Sequence, residues 1–200
     1  MRESNEQLFW LVNGHHSSAG DYLFWAVSFT AYTLPAICVA LAAMHFYRGL
    51  TRGNVVLLAI ALAAGGLAVH GIKEAYIADR PLAYFAEKNP PLDSQVHAPF
   101  ERHSHRSFPS GHSQVAANVA VLMVLLFRRH IALWLIWAGL VAYSRVYLGV
   151  HFPLDVVFGA LTGSLISILA VKGGRRWNLT SAQQKVSSPS PAPGSATKGG

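Results

Sequence analysis

The sequence predicts an all-α integral-membrane helical bundle of five transmembrane helices, or six if one span escapes detection, with a short N-terminal interfacial helix. Of the 200 residues, 52% are hydrophobic and only 12% are charged, which is about half the charged share of an average soluble domain. Two long stretches carry no charged residue at all. The single cysteine, Cys38, excludes a disulfide framework and a cysteine-based metal site.

The predicted spans are apolar stretches of about 17 to 26 residues, which as α-helices would be roughly 26–39 Å long. The first two contain no Asp, Glu, Lys or Arg, whereas the last three reach membrane length only by including polar residues. Pro35 predicts a kink in the first span, and Gly159 with Gly163 predicts close helix packing in the fifth. In chain order the predicted spans cover residues 22–47, 53–72, 111–127, 131–148 and 152–171.

Three further segments complete the predicted organisation. A capping-box pattern that begins at Ser4 favours a short interfacial helix over about residues 5–13. The polar, proline-containing stretch 82–108 predicts a long irregular loop. Residues 178–200 are of low complexity and predict a flexible tail, so that residues 1–177 form a single transmembrane domain.

The net charge of +7 is distributed unevenly, and its distribution predicts the orientation of the protein. With five spans, one side (side B: residues 48–52, residues 128–130 and the tail) carries nine cations and no acid. Side A holds the N-terminus and the other connections, with seven cations and all nine acids. Because Lys and Arg accumulate on the cytoplasmic face, side B is predicted to be cytoplasmic, and no nucleic-acid partner is needed to explain the basic balance. The side B cations are Arg48, Arg52, Arg128, Arg129, Lys172, Arg175, Arg176, Lys185 and Lys198.

Three clusters of polar residues lie on side A. In the first, Lys73 precedes Arg80-Pro81 by seven residues, about two helical turns, so both cations can share one face at a membrane boundary; snorkelling basic side chains are the alternative. In the second, the segment SFPSGH (residues 107–112) leads directly into an apolar helix. Ser110 and the free N–H groups of that helix start predict an anion site, unless the segment is only a capping turn.

The third cluster places Arg145, His151 and Asp155 at the junction of the last two spans. Ionisable residues are costly in lipid and by default suggest a function. Because His151 and Asp155 are four residues apart, the carboxylate can bind one ring nitrogen and leave the other free as a nucleophile or general base. The alternative is a structural Arg145–Asp155 ion pair beside an uninvolved His151.

Together the clusters place cations, a helix start and two histidines on one side of one membrane, which suggests phosphoryl transfer. That chemistry needs positive charge around the phosphoryl oxygens, a nucleophile in line and an acid for the leaving oxygen. The sequence offers no cluster of carboxylates suited to Mg²⁺, so we expect no metal and no cofactor.

The loop 82–108 contains further candidates. His97, His103 and His105 could bind a metal ion, but solvated loop histidines are the simpler expectation. Arg102 and Arg106 could recruit an anionic headgroup, or could simply be solvated.

The ordered pattern K-x6-RP, PSGH and SR-x5-H-x3-D, which begins at Lys73, Pro109 and Ser144, resembles the three-part signature of the type 2 phosphatidic acid phosphatase family. The chain departs from the signature at no position. The resemblance implies that His151 is the nucleophile and forms a phosphohistidine, that Asp155 orients His151, and that His112 protonates the leaving group. It also implies that the phosphoryl oxygens are bound, without a metal, by Lys73, Arg80, Ser110, Gly111 and Arg145.

For the function, the resemblance implies metal-independent hydrolysis of a lipid phosphate or diphosphate. Because side B is predicted to be cytoplasmic, the site on side A is expected at the periplasmic or exterior face of a bacterial inner membrane. Polyprenyl diphosphate and phosphatidylglycerol phosphate are the expected substrates, and no obligatory protein partner is expected. The alternatives are a lipid A or phosphatidic acid phosphatase, a phosphotransferase that passes phosphate to another lipid, and a non-enzymatic headgroup-binding protein. Vanadium haloperoxidases share the anion pocket, but they are soluble proteins. The two uncharged spans of this chain argue against that class.

Overall fold

The computed structural model describes residues 2–177 and residue 179, so the predicted tail lies outside the described residues apart from residue 179. Within the described part, the chain forms eight α-helices and one short 3₁₀ helix. The helices are α1 (Arg2–Asn13), α2 (Ser18–Phe29), α3 (Thr33–Phe46), α4 (Arg52–Ala75), α5 (Pro81–Ala86), α6 (Gly111–Phe127), α7 (Ile131–Tyr147) and α8 (Pro153–Arg176), with the 3₁₀ helix at Asp93–Gln95.

Two of these helices, α4 and α8, are each long and apolar enough to cross a membrane, and the bent pair α2/α3 qualifies when it is taken as one broken span. Helices α6 and α7 are apolar but have only 17 residues each, or about 26 Å of helix. The outer faces keep large apolar side chains exposed, which suits contact with lipid rather than water. On α8 they recur along one stripe, formed by Val157, Phe158, Leu161, Leu165 and Leu169.

The first predicted span is bent, as expected, and the bend lies a few residues before Pro35. The chain turns by 71° between α2 and α3, and Pro35 lies in the first turn of α3, where a missing N–H costs nothing. The break is tied to α7, because the Trp137 indole N–H donates to Thr30 Oγ1 at 2.9 Å. The expected kink in this span is confirmed: the break lies at residues 30–32, directly before the helical turn that contains Pro35.

Helix α6 forms the centre of the bundle and packs against α3, α4, α7 and, most extensively, α8. The α8 backbone comes close because Gly159 and Gly163 face α6. A Cβ atom at Gly159 would collide with the carbonyl oxygen of Ser110, and one at Gly163 would collide with that of Gln114. The predicted small-residue packing face is confirmed.

Buried hydrogen bonds also join the three central helices. The Asn118 side chain on α6 donates to the carbonyl oxygen of Ala61 on α4 at 2.9 Å. Ser167 on α8 donates through Oγ to the Asn118 carbonyl oxygen at 2.7 Å. Polar groups in an apolar interior need such partners, so these bonds fix how the helices pair.

The two ends of the bundle are formed by different segments of the chain. At one end the turn after α3 meets the turn after α6, with the Tyr47 and Phe127 rings 5.2 Å apart. At the other end α1, which begins earlier than predicted, buries Phe9 against Phe85 and Phe152, with ring centroids 5.5 and 5.4 Å away. This second end also carries the loop before α6 and the polar clusters.

We expect Gly163→Ala to lower the free energy of unfolding by about 1–3 kcal/mol, because the added methyl group must push α8 away from α6. Thermal unfolding in detergent micelles measures this change. Gly173→Ala is the matched control on the same helix, since a Cβ atom there meets nothing within 4 Å; it should leave stability unchanged or raise it by up to about 1 kcal/mol. Equal effects of the two substitutions would contradict the packing argument.

Candidate active site

Residues from all three sequence clusters meet where α4 and α7 end and where α6 and α8 begin. Lys73 is close enough to Arg80, Arg145 and Asp155 for their charges to act on it. His112 is likewise within electrostatic range of Arg80, Arg145 and His151. The backbone N–H of Ser110 donates to the Asp155 carbonyl oxygen at 2.9 Å. The structure therefore brings all of the predicted site residues together.

His151 and Asp155 form the buried centre of this site. Nδ1 of His151 lies 3.4 Å from Oδ2 of Asp155. The same carboxylate oxygen accepts hydrogen bonds from the Phe152 backbone N–H at 2.9 Å and from the Ser107 hydroxyl. These bonds keep the carboxylate at the first turn of α8 and turn it toward the imidazole. Ser107 begins the SFPSGH segment, but no local pattern in the sequence indicates this contact.

The imidazole of His151 is 2% exposed. Burial lowers its pKa to about 4; hydrogen bonding to Asp155 acts in the opposite direction, and the charge of Arg80 adds to the lowering. At neutral pH the ring is therefore uncharged. With Nδ1 facing the carboxylate, the lone pair of the other ring nitrogen is left for chemistry.

Lys73 and Arg80 are held by carbonyl oxygens of the loop before α6. Lys73 Nζ donates to the Arg106 carbonyl oxygen at 2.7 Å, and Arg80 Nε donates to that of His105 at 3.1 Å. A second Arg80 nitrogen donates to the Val150 carbonyl oxygen at 3.3 Å, one residue before His151. In these contacts neither cation is paired with a carboxylate, so no ion pair among them neutralises its positive charge.

Arg145 is 1% exposed and is paired with Glu101, which the sequence did not indicate. Its two terminal nitrogens donate to the two carboxylate oxygens of Glu101 at 3.1 and 2.8 Å, and one of them also donates to Ser28 Oγ at 2.6 Å. The alternative of an Arg145–Asp155 ion pair is therefore wrong. A buried arginine does call for a carboxylate, but Glu101 is 44 residues away in a loop, and no local spacing identifies it.

Glu101 is ionised under ordinary conditions. Burial alone would raise its pKa, but the hydrogen bonds and the charge of Arg145 outweigh burial and lower the pKa to about 2. The Tyr32 hydroxyl also donates to Glu101, at 3.4 Å. Glu101 thus joins the α2/α3 break to the end of α7.

The start of α6 supplies donors with no partner within the helix. Ser110 is the N-cap, and its Oγ accepts from the Ser113 backbone N–H at 3.4 Å and from the Ser113 hydroxyl at 3.1 Å. The first N–H groups of a helix, including that of Gly111, have no intrahelical acceptor. A Cβ atom at Gly111 would meet nothing within 4 Å in the described chain, so space beside this backbone is open to a ligand.

His112 lies on the first turn of α6 with its ring edge-on to Tyr32, at a centroid distance of 4.5 Å. Its Nε2 atom is buried, and within residues 2–177 and 179 it has no hydrogen-bond partner. A cavity of about 230 Å³ opens beside Gly111 and His112 between α3, α4 and α6, and its walls are mostly apolar. The side chain is therefore placed between a polar site and an apolar space.

The loop candidates differ in exposure: the side chains of His103 and His105 are 57% and 65% exposed, as expected, whereas His97 is part-buried. His97 Nε2 lies 2.7 Å from Asp21 Oδ1, and its side chain is only 18% exposed, because the loop folds back onto α2. Arg106 pairs with Glu74 at 2.9 Å. Across the described residues, no group of three or more His, Cys, Asp or Glu side chains is arranged to hold a metal ion.

Comparison with known proteins identifies the family. Residues 54–178 match the model of the PAP2 superfamily. The putative undecaprenyl-diphosphatase YbjG of Escherichia coli is 33% identical over 168 residues, which cover 80% of this chain and 78% of that protein. The undecaprenyl-diphosphatase of Sulfolobus acidocaldarius is 49% identical over 67 residues, or 33% of this chain and 32% of that protein. The matched part is thus about a third of that relative's length.

Two solved structures share the fold. LpxE of Aquifex aeolicus superposes with a TM-score of 0.71 at 28% identity, covering 84% of this chain and 94% of that one. The PAP2-type phosphatidylglycerolphosphate phosphatase of Bacillus subtilis superposes with a TM-score of 0.65 at 26% identity, covering 88% and 86%. With its helical fold, its converging cations and histidines and its family match, the chain belongs to the PAP2 superfamily of membrane lipid phosphatases.

Proposed function

We propose that this protein hydrolyses polyprenyl diphosphate at the outer face of a bacterial inner membrane, through a phosphohistidine and without a metal. The observation that carries the proposal is the buried, neutral His151 beside Asp155, within range of the cations Arg80 and Arg145. A neutral imidazole oriented by a carboxylate is a nucleophile, and converging cations bind the anion that it attacks.

In the first step the lone pair of His151 Nε2 attacks the terminal phosphorus. An N–P bond forms while the bond from phosphorus to the leaving oxygen breaks. Lys73, Arg80 and Arg145 bind the phosphoryl oxygens, and the growing positive charge on the ring is balanced by Asp155.

Ser110 and the Gly111 N–H complete the phosphate site from the start of α6, where free helix donors favour an anion. His112 shares this turn, and its unpartnered Nε2 is suited to give a proton to the leaving oxygen. In the second step His112 takes a proton from water, the water oxygen attacks phosphorus, and the N–P bond breaks. Phosphate leaves, and both histidines return to their starting states.

The apolar cavity beside His112 offers space for the first carbons of a lipid chain, next to the site that would hold its phosphate. The diphosphate assignment is supported by similarity to the Escherichia coli and Sulfolobus proteins, and phosphatidylglycerol phosphate is the second candidate because of similarity to the Bacillus subtilis structure. A panel of both lipids, with phosphatidic acid and lipid A added, separates these substrates.

The proposed topology has five crossings, counting α2/α3 as one and α6 and α7 as short spans, with the site end facing outward. It is supported by the clustering of basic residues at the opposite end, where Arg48 and Arg52 flank the turn after α3 and Arg128 and Arg129 follow α6.

His151→Ala should reduce phosphate release from a polyprenyl diphosphate in detergent micelles by about a thousand-fold or more, because the attacking atom is lost. Rapid quenching with ³²P-labelled substrate should give an acid-labile, alkali-stable label on the wild type and none on the variant. His15→Ala, which removes an exposed histidine outside the site, is the control and should keep full activity. Full activity of the His151 variant would exclude the mechanism.

The pH profile should report the low pKa of His151. The ring must be unprotonated to attack, and with a pKa of about 4 in place of 6.5 it stays competent between these values. We therefore expect the acid limb of kcat/KM to lie well below pH 6.5, at the same pH for a monophosphate and a diphosphate lipid.

Arg80→Gln tests the part of that pKa shift that comes from the charge of Arg80, in addition to the larger effect of burial. Removing the nearby positive charge should raise the pKa of His151 and move the acid limb to higher pH, whereas Arg80→Lys, which keeps the charge, should move it less. An acid limb near pH 6.5 in the wild type, or no difference between the two variants, would contradict the assignment.

Single-cysteine labelling tests the topology. In a Cys38→Ser background, Ser94→Cys at the site end should react with a membrane-impermeant maleimide in spheroplasts. Arg129→Cys at the opposite end should react only after permeabilisation, and both positions are exposed in the folded chain. The reverse pattern would overturn the proposed orientation.

A further inference from the structure

Glu101 occupies the part of the site that phosphate needs. A carboxylate presents two oxygens in the same forked arrangement as two phosphoryl oxygens, and guanidinium binds either group through paired N–H donors. Both terminal nitrogens of Arg145 already donate to Glu101. In the described chain, the remaining Arg145 nitrogen, Nε, is buried and has no hydrogen-bond partner. A phosphate cannot take the fork of Arg145 while Glu101 holds it.

The segment that carries Glu101 is hydrogen-bonded through its backbone at both ends. At one end the His97 backbone N–H donates to the Asn13 side chain at 2.9 Å. At the other, the Arg80 backbone N–H donates to the Ser104 carbonyl oxygen at 2.8 Å. Among the described residues, 98–103 make no backbone–backbone hydrogen bond. Glu101 can therefore move without breaking a backbone hydrogen bond of this segment.

A displaced Glu101 has another partner close by. His103 Nε2 lies 3.6 Å from its Oε2 atom, and the His103 side chain is 57% exposed while that of Glu101 is 18% exposed. If the Glu101 side chain moved outward by a small distance, its carboxylate would leave the buried guanidinium of Arg145 and contact the exposed imidazole of His103. The neighbouring Phe100 rests on the exposed aromatic rings of α2, 5.7 Å from Tyr22 and 6.1 Å from Trp25, which keeps the segment against the lipid-facing side of the bundle.

We propose that Glu101 competes with phosphate groups for Arg145. This competition weakens the binding of every phosphate group at Arg145, so that only a ligand whose apolar chain also binds the protein occupies the site well. The inference rests on the proposed function, in which Arg145 binds the phosphoryl oxygens. A lipid substrate arrives with additional binding from its chain and can displace the carboxylate. Inorganic phosphate has no such addition, so the product leaves readily and does not block the site.

The low pKa of Glu101 fits this role. Because the carboxylate stays ionised down to about pH 2, protonation does not release it at physiological pH. Another anion must displace it, and the apparent affinity of that anion is reduced by the fraction of time for which Glu101 holds Arg145.

The test uses the full chain in detergent micelles with inorganic phosphate as the probe. In Glu101→Gln, which keeps the shape and removes the charge, the inhibition constant of phosphate against lipid hydrolysis should fall at least about ten-fold. The KM for the lipid should also fall. Glu87→Gln, an equal charge change at an exposed position of the same loop, should change neither constant.

A thermal readout separates competition from a merely structural role. Glu101→Gln leaves Arg145 without a full partner, which destabilises a buried charge, and phosphate should restore the stability by taking the vacated place. The phosphate-induced rise in Tm should therefore be larger for Glu101→Gln than for the wild type. If Glu101→Gln does not fold, Glu101→Asp, whose shorter side chain reaches Arg145 less well, should show the same changes to a smaller extent.

The outcomes are distinct. Unchanged or weaker phosphate inhibition and no added thermal stabilisation in the Glu101 variants would overturn the inference while leaving the hydrolysis intact. A wild type that releases no phosphate from any lipid of the panel would instead overturn the proposed function.

Discussion

The close approach of α8 to α6 is the contact on which the site depends. Gly159 and Gly163 allow the two backbones to touch, and the Ser110 N–H then reaches the Asp155 carbonyl oxygen. The start of α6 carries His112, and the start of α8 carries Asp155, four residues after His151. Two helix starts joined in this way hold His112 and Asp155 on rigid elements, and Asp155 in turn contacts His151, as a site that must be preorganised requires.

Charge balance in a buried space is the second constraint. Lys73, Arg80 and Arg145 bring positive charge together, and with Lys73 and Arg80 held mainly by backbone carbonyl oxygens, that charge stays available. Arg145 differs, because its burial is compensated by Glu101. The pairing stabilises the buried guanidinium, and under the proposed function it puts a carboxylate where a phosphoryl group would bind.

The fold and most of the site could be predicted because their signals are local. Long apolar stretches predict membrane helices. The spacings of Lys73 with Arg80 and of His151 with Asp155 each lie within eight residues, so they predict neighbouring side chains without knowledge of the fold. The bend of the first span was predicted from Pro35, but its angle and its exact residues depend on packing against α7. Glu101, Ser107 and the His97–Asp21 pair were not anticipated, because each depends on how a long loop folds back onto distant helices.

The sequence by itself determined the membrane class, the distribution of basic residues between the two ends and the identities of the residues that converge at one end. These properties follow from composition and short spacings. Charged residues are costly in lipid, and residues a few positions apart are neighbours on a helix. Only the tertiary structure decided which carboxylate satisfies Arg145, how deeply His151 is buried and where open space remains beside Gly111. Those features depend on contacts between residues far apart in the chain, for which no local pattern exists.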